Sequence, residues 1–261
     1  MAVHALDPIV LGTLGSLAAG LGTGVGALPI LVLRDQVGRQ SLLLGFAAGI
    51  MLAATGFSLI LPGIEEAARR TGDEDLAVLI VAAGILIGAV ALSLAHRLVP
   101  HEHFFKGLEG ADPRGMARLW LFVLAITLHN FPEGLAVGIG FAEGDIENGL
   151  PLALGIGLQN LPEGLAVAAA MTAEGYTRRA AFAVAALTGL VEPAAGFFGA
   201  AAVSIATGLL PWGLAFAAGA MLFVISGEII PETHRTGREV RATFALVVGF
   251  VVMMTLDVVF G

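Results

Sequence analysis

Two ten-residue segments, thirty residues apart, hold most of the side chains in this sequence that could do chemistry in an apolar setting. The first reads Leu128-His129-Asn130-Phe131-Pro132-Glu133-Gly134-Leu135-Ala136-Val137 and the second Leu158-Gln159-Asn160-Leu161-Pro162-Glu163-Gly164-Leu165-Ala166-Val167. On a helix, His129 and Glu133 stand four residues apart, so they lie one turn apart on one face. Gln159 and Glu163 repeat that placement, and Asn130 and Asn160 sit about 100° round on a neighbouring face. Pro132 has no N–H for the carbonyl of Leu128, nor Pro162 for that of Leu158. Each proline is therefore expected to kink its helix and free a carbonyl, while Gly134 and Gly164 let backbones approach. Glu192-Pro193 adds a third carboxylate beside a helix breaker.

The elements that must position these residues are membrane helices. The 261 residues are 57% hydrophobic and 13% charged, with a mean hydropathy of +0.91, whereas soluble domains carry about 25% charged residues. Charge-poor stretches long enough to cross the hydrocarbon predict eight spans, roughly 8–33, 40–64, 76–96, 119–142, 149–172, 180–208, 212–230 and 242–260. The expectation is an all-α integral membrane protein, a single transmembrane domain over 1–261. Spans 4 and 5 are adjacent, so the two motif copies meet antiparallel, which predicts an inverted-repeat, three-plus-two-plus-three bundle with proline-kinked spans 4 and 5 around a site near the midplane. The first span is too long for a signal-peptide h-region and follows no basic n-region, so it is read as retained.

Small residues recur every fourth position, as at Gly12, Ser16, Gly20 and Gly24, or Gly45, Gly49 and Ala53; this is the pattern of close helix contact. Eleven of the thirteen Lys and Arg residues fall in alternate loops, and only Arg69 and Arg70 lie on the other side. By the positive-inside rule both termini are then extracytoplasmic. The external loops are acidic, with Glu65, Glu66, Asp73, Glu74, Asp75 and Asp145 among them. Two readings fit: ordinary solvated loops, or an entrance that concentrates cations. A net charge of −8 argues against a nucleic-acid partner, and zero cysteines exclude thiolate metal sites.

A carboxylate at the centre of a membrane helix costs at least about 2.5 kcal/mol, and no Lys or Arg lies inside any span to offset it. The counter-charge must be protons or a cation. Imidazole, carboxylate and carboxamide together suit borderline divalent metals such as Zn²⁺, Mn²⁺ or Fe²⁺.

The pattern His-Asn-x-Pro-Glu-Gly on span 4, with its partner on span 5, resembles the signature of the ZIP family of divalent metal transporters, in the bacterial branch with Gln at the first span-5 position. The resemblance implies a binuclear metal centre, uptake toward the cytoplasm, elevator-type movement of one helix bundle against another, a bacterial inner-membrane location and a homodimer. It implies Zn²⁺ as transported substrate, with Cd²⁺, Fe²⁺ and Mn²⁺ as alternatives, and no organic cofactor. By matching position, one metal site would use His129, Glu133, Gln159 and Glu163, with Met51 from span 2. A second would use Asn130, Asn160 and Glu192, with Glu133 and Glu163 bridging. Met51 by itself reads as a core gap-filler. Some relatives carry Asp at the position of Asn160. Three ionised glutamates give −3, which one dication reduces to −1 and two reverse to +1. The first site is therefore read as the transport site and the second as weaker or modulatory.

Further positions have two readings each. Glu228, in Ser226-Gly227-Glu228-Ile229-Ile230-Pro231-Glu232, is a pathway ligand or an interface residue; the family's exit segment commonly has His where this chain has Gly227. His101 and His103 either receive metal or belong to a solvated loop. Asp257 guides cations at the external end of span 8 or snorkels. The residues fit export, or channel-like conduction, as well as import; the inward direction comes from the resemblance. A zinc protease needs His-Glu-x-x-His, and His101-Glu102-His103-Phe104-Phe105 lacks its second histidine, so an intramembrane enzyme is not expected.

Overall fold

The computed structural model describes residues 7–32, 40–98, 101–103, 107–109, 118–173, 175–233 and 239–260. Helix α1 (Pro8–Ala27) starts on Asp7, whose side chain accepts from the Ile9 amide at 2.8 Å, with Pro8 at the position where a missing N–H costs nothing. It is followed by α2 (Gln40–Ala54), α3 (Leu61–Thr71), α4 (Glu74–Leu98), α5 (Arg118–Gly140) and α6 (Ile146–Ala173). The second half contains α7 (Arg178–Thr188), α8 (Val191–Ile205), α9 (Leu210–Val224), the short α10 (Ile230–Thr233) and α11 (Glu239–Phe260). Among the described residues, seven helical segments are long and apolar enough to cross a bilayer: Pro8–Leu31, Leu44–Thr71, Glu74–Ala95, Ile146–Thr172, Arg178–Ile205, Thr207–Gly227 and Glu239–Val259. The first motif lies on α5, a continuous helix of 23 residues. The architecture is a helical membrane bundle whose exposed faces carry large apolar side chains such as Leu86, Val90 and Val258.

The helices form two groups. In one, α1 contacts α5, α6 and α8, and α5 contacts α6 and α8; in the other, α2 pairs with α11 and α4 with α9. Contacts of α2 and α11 with α6, and of α5 with α9, join the groups. The most apolar window of α6 is 72% buried, against 17% for α11, so the helix bearing the second motif is central and α11 faces outward.

Three departures from regular helix stand out. First, the sixth predicted span is two helices, α7 and α8, meeting at Gly189-Leu190. Pro193 cannot donate to the Gly189 carbonyl, which accepts the Glu192 amide at 3.2 Å instead, and this sets Glu192 in the first turn of α8. Second, α2 and α9 each run into a π-helical turn, Thr55–Ile60 and Ile225–Ile229. Phe46–Leu52 and Phe216–Leu222 share the pattern Phe-Ala-Ala-Gly-x-Met-Leu, and each π-turn begins six residues after that glycine. Corresponding glycines make corresponding contacts: a Cβ at Gly49 would strike the Leu246 carbonyl of α11, and one at Gly219 the Ile85 carbonyl of α4. Third, His101–His103 (β1) and Gly107–Glu109 (β2) pair antiparallel, with His101 opposite Glu109. This short two-stranded ribbon lies in the loop between α4 and α5 of an otherwise helical bundle.

Candidate metal centre

Helices α5 and α6 touch each other, and both motifs fall at the middle of their helices. Pro132 and Pro162 lie inside helices that continue through them. The motif glycines set the depth of contact: Gly134 abuts the backbone of Glu192 on α8, and Gly164 abuts that of Thr23 on α1. Any side chain at either position would push a neighbouring helix away.

Seven of the residues singled out in the sequence are buried together in polar form. His129 is 3% exposed, Glu163 1%, and Asn130, Glu133, Gln159, Asn160 and Glu192 are fully covered. His129, Glu133 and Glu163 each offer a ligand atom, and these atoms all lie within 4.8 Å of one another. The His129 Nε2 atom is 3.6 Å from Glu133 Oε1 and 3.6 Å from Glu163 Oε1. Gln159 Nε2 donates to Glu133 Oε1, tying the two motifs together. Beside this trio, Asn160 Nδ2 donates to Glu192 Oε1 at 2.7 Å and to the Ala19 carbonyl at 2.8 Å.

Oxygens remain. Glu133 Oε2, Gln159 Oε1, Asn130 Oδ1, Asn160 Oδ1 and Glu192 Oε2 are buried without a hydrogen-bond partner among the described residues. Buried polar atoms are ordinarily paired, and among the described residues no Lys or Arg is buried with them. Carboxylate, carboxamide and imidazole donors of this kind suit a hard or borderline cation.

Met51 is fully buried in the main apolar core with Ile50, Leu152, Ile156 and Met221. Asp257, on α11, accepts from the Ser58 hydroxyl at 2.5 Å, linking α11 to the first π-turn. Ser58 was missed in the sequence; the signal that could have found it is the second repeat, since Ser58 and Glu228 are both the fourth residues of their π-turns. The side chains of Glu228, His101 and His103 lie outside the described residues. A cavity of about 280 Å³ lies among α3, α9 and the α5–α6 connection, lined in part by Glu65, Glu66, Asp145 and Asn148. Both Arg69 and Arg70 pair with Glu66, so this acidic surface is partly neutralised by the two arginines on its own side.

A model of the family described as "ZIP Zinc transporter" matches residues 109–257, over half of the chain and both motifs. The chain belongs to the ZIP family. It is 49% identical over 251 residues to "Zinc transporter GufA" of Myxococcus xanthus, covering 96% of this chain and 99% of that one. It is 46% identical over 252 residues to "Zinc transporter ZIPB" of Bordetella bronchiseptica, covering 95% and 81%. More distant is "Zinc transporter ZIP11" of Homo sapiens, 36% identical with 84% and 87% covered. As a ZIP member the chain is an integral membrane transporter of divalent metal and not an enzyme, and the buried His–Glu–Glu cluster is where its motifs converge.

Proposed function

We propose that this protein carries Zn²⁺ inward across a bacterial inner membrane through a two-metal centre, with Cd²⁺, Fe²⁺ and Mn²⁺ as competing substrates. The observation that carries this is the buried trio His129, Glu133 and Glu163, with further unpartnered oxygens on the same motifs and on Glu192, and no buried Lys or Arg among the described residues. His129, Glu133, Gln159 and Glu163 hold the transported ion, with Met51 reached from α2. Asn130, Asn160 and Glu192 hold a second, modulatory ion, with Glu133 and Glu163 shared. Carboxylates, amides and one imidazole bind less tightly than a closed Cys/His site, as a carrier that must release its cargo requires.

In this reading α5 is also a span, the fourth in chain order, which brings the total to eight; the chain is one transmembrane unit, and both termini are extracytoplasmic. The bundle is a three-plus-two-plus-three inverted repeat, kinked at Pro132 and Pro162. The group α1, α5, α6 and α8 moves as an elevator against the group containing α2, α4, α9 and α11, and the fixed group supports a homodimer. Two features support this: all the motif residues sit in the first group, and the π-turns sit in the second. Ions reach the centre past Asp257 and leave past Glu228 toward His101 and His103.

The test is metal entry into liposomes that hold the purified protein and a trapped zinc-sensitive dye. Zn²⁺ flux is expected from the wild type and its loss from Glu163→Ala, with Asn130→Ala keeping an intermediate rate. Wild-type flux from Glu163→Ala would overturn the assignment of the pathway; loss in Asn130→Ala as complete as in Glu163→Ala would overturn the modulatory role of the second site.

A further inference from the structure

Among the described residues, threonines within the α-helices and π-turns behave uniformly, with one exception. Thr13, Thr55, Thr71, Thr127, Thr172, Thr188, Thr233, Thr243 and Thr255 each return the side-chain hydroxyl to a carbonyl three or four residues earlier. That bond is the usual way for a helical threonine to satisfy itself away from water. Thr23, on α1, does not make it. Its side chain is fully buried, and its Oγ1 has no hydrogen-bond partner among the described residues. The carbonyl four residues back belongs to Ala19, and Asn160 of the second motif occupies it.

The position of Thr23 is as unusual as its bonding. Gly164 of the second motif abuts the backbone of Thr23, as Gly134 of the first motif abuts the backbone of Glu192. The relation that exchanges the two motifs therefore exchanges Glu192 with Thr23. The hydroxyl points at the break between α7 and α8, since a Cβ on Gly189 would meet Thr23 Oγ1 at 2.8 Å, and Glu192 follows in the first turn of α8. Asn160 completes the group, bonded on one side to Glu192 and on the other to the carbonyl one turn from Thr23.

We infer that the Thr23 hydroxyl is a neutral oxygen donor of the second metal site, held free for that use because Asn160 takes its natural helix partner. This rests on the two-site reading above. The arrangement gives the second site oxygen donors only, from Asn130, Asn160, Glu192 and Thr23, beside a first site that has an imidazole. It also limits the charge: a carboxylate at position 23 would mirror Glu192 and raise the centre to four acids, binding a second dication too firmly to modulate anything. Thr23 thereby sets the strength of the second site and not that of the first.

Equilibrium dialysis of the purified protein against radioactive Zn²⁺, read as ions bound per chain, tests this. Wild type is expected to bind in two steps. Thr23→Val, which keeps the shape, should weaken the second step about tenfold, as losing one supporting group at a metal site commonly does, and leave the first step unchanged. Thr23→Ser should restore the second step. The metal-free Thr23→Val protein should melt no lower than wild type, because no protein hydrogen bond is lost. Two unchanged steps in Thr23→Val, or a loss of both together with a lower melting temperature, would overturn the assignment and mark Thr23 as a packing residue. Glu163→Gln is the control for the underlying reading. If it binds like wild type, the two-site centre itself is wrong and the role of Thr23 falls with it.

Discussion

Replacing Glu163 by Gln keeps the shape of the centre and removes one of its charges, and the geometry fixes the sign of two opposite effects. In the metal-free protein the ligand oxygens of Glu133 and Glu163 lie within 4.8 Å of each other. Two full charges at that separation repel by about 3.5 kcal/mol at an effective dielectric of 20. Bound protons relieve part of this, so Glu163→Gln should stabilise the empty protein by about 1–3 kcal/mol, equivalent to a rise of several degrees in melting temperature. The metal-bound protein should respond the other way. Losing one partner of a buried charge pair costs about 3–5 kcal/mol, or roughly two to three and a half orders of magnitude in affinity. At a free Zn²⁺ concentration about a hundred times the wild-type dissociation constant, binding stabilises the wild type by about 2.7 kcal/mol; the variant should gain almost nothing. Thermal unfolding in detergent, with chelator and with buffered Zn²⁺, reads both effects. A lower melting temperature for the chelated variant, or a Zn²⁺-induced rise equal to that of wild type, would refute the view of Glu163 as a metal ligand crowded by Glu133 in the empty centre.

Two further substitutions probe the surroundings. Gly164→Ala places a methyl group against the Thr23 carbonyl and should cost about 1–3 kcal/mol by overpacking, seen as a lower melting temperature, whereas Gly56→Ala, with open space at its Cβ, should be within about 0.5 kcal/mol of wild type. Asp257→Asn removes a charge from the Ser58 contact outside the centre; concentration-dependent Zn²⁺ uptake should show a raised half-saturation with little change in maximal rate, and the reverse would place Asp257 in a later step.

The chemistry was far more legible than the backbone. His129, Asn130, Glu133, Gln159, Asn160, Glu163 and Glu192 are the polar exceptions in stretches that are otherwise apolar, and burying such groups is so costly that their presence alone marks a site. Their convergence also followed from the duplication, because two motifs on adjacent spans can meet only antiparallel. The π-turns were invisible: each inserts a residue without changing composition, and a helix that is apolar all round offers no periodicity to betray a shift. Thr23 was silent for another reason. Its type is ordinary in a helix, and only the capture of the Ala19 carbonyl by Asn160, 141 residues away, makes it exceptional. Ser58 and Asp257 meet across 199 residues, a separation at which no local pattern speaks.

Each π-turn does more than lengthen its helix. One inserted residue turns everything beyond it by about 100° about the helix axis. Before the first π-turn, Gly49 presses on α11; beyond it, Pro62, Glu65 and Glu66 face a cavity shared with the α5–α6 connection. A regular helix would have to divide one stripe between these two duties. The inserted residue gives it two, so that a single rod grips its neighbour along one half of its length and faces a different neighbour along the other.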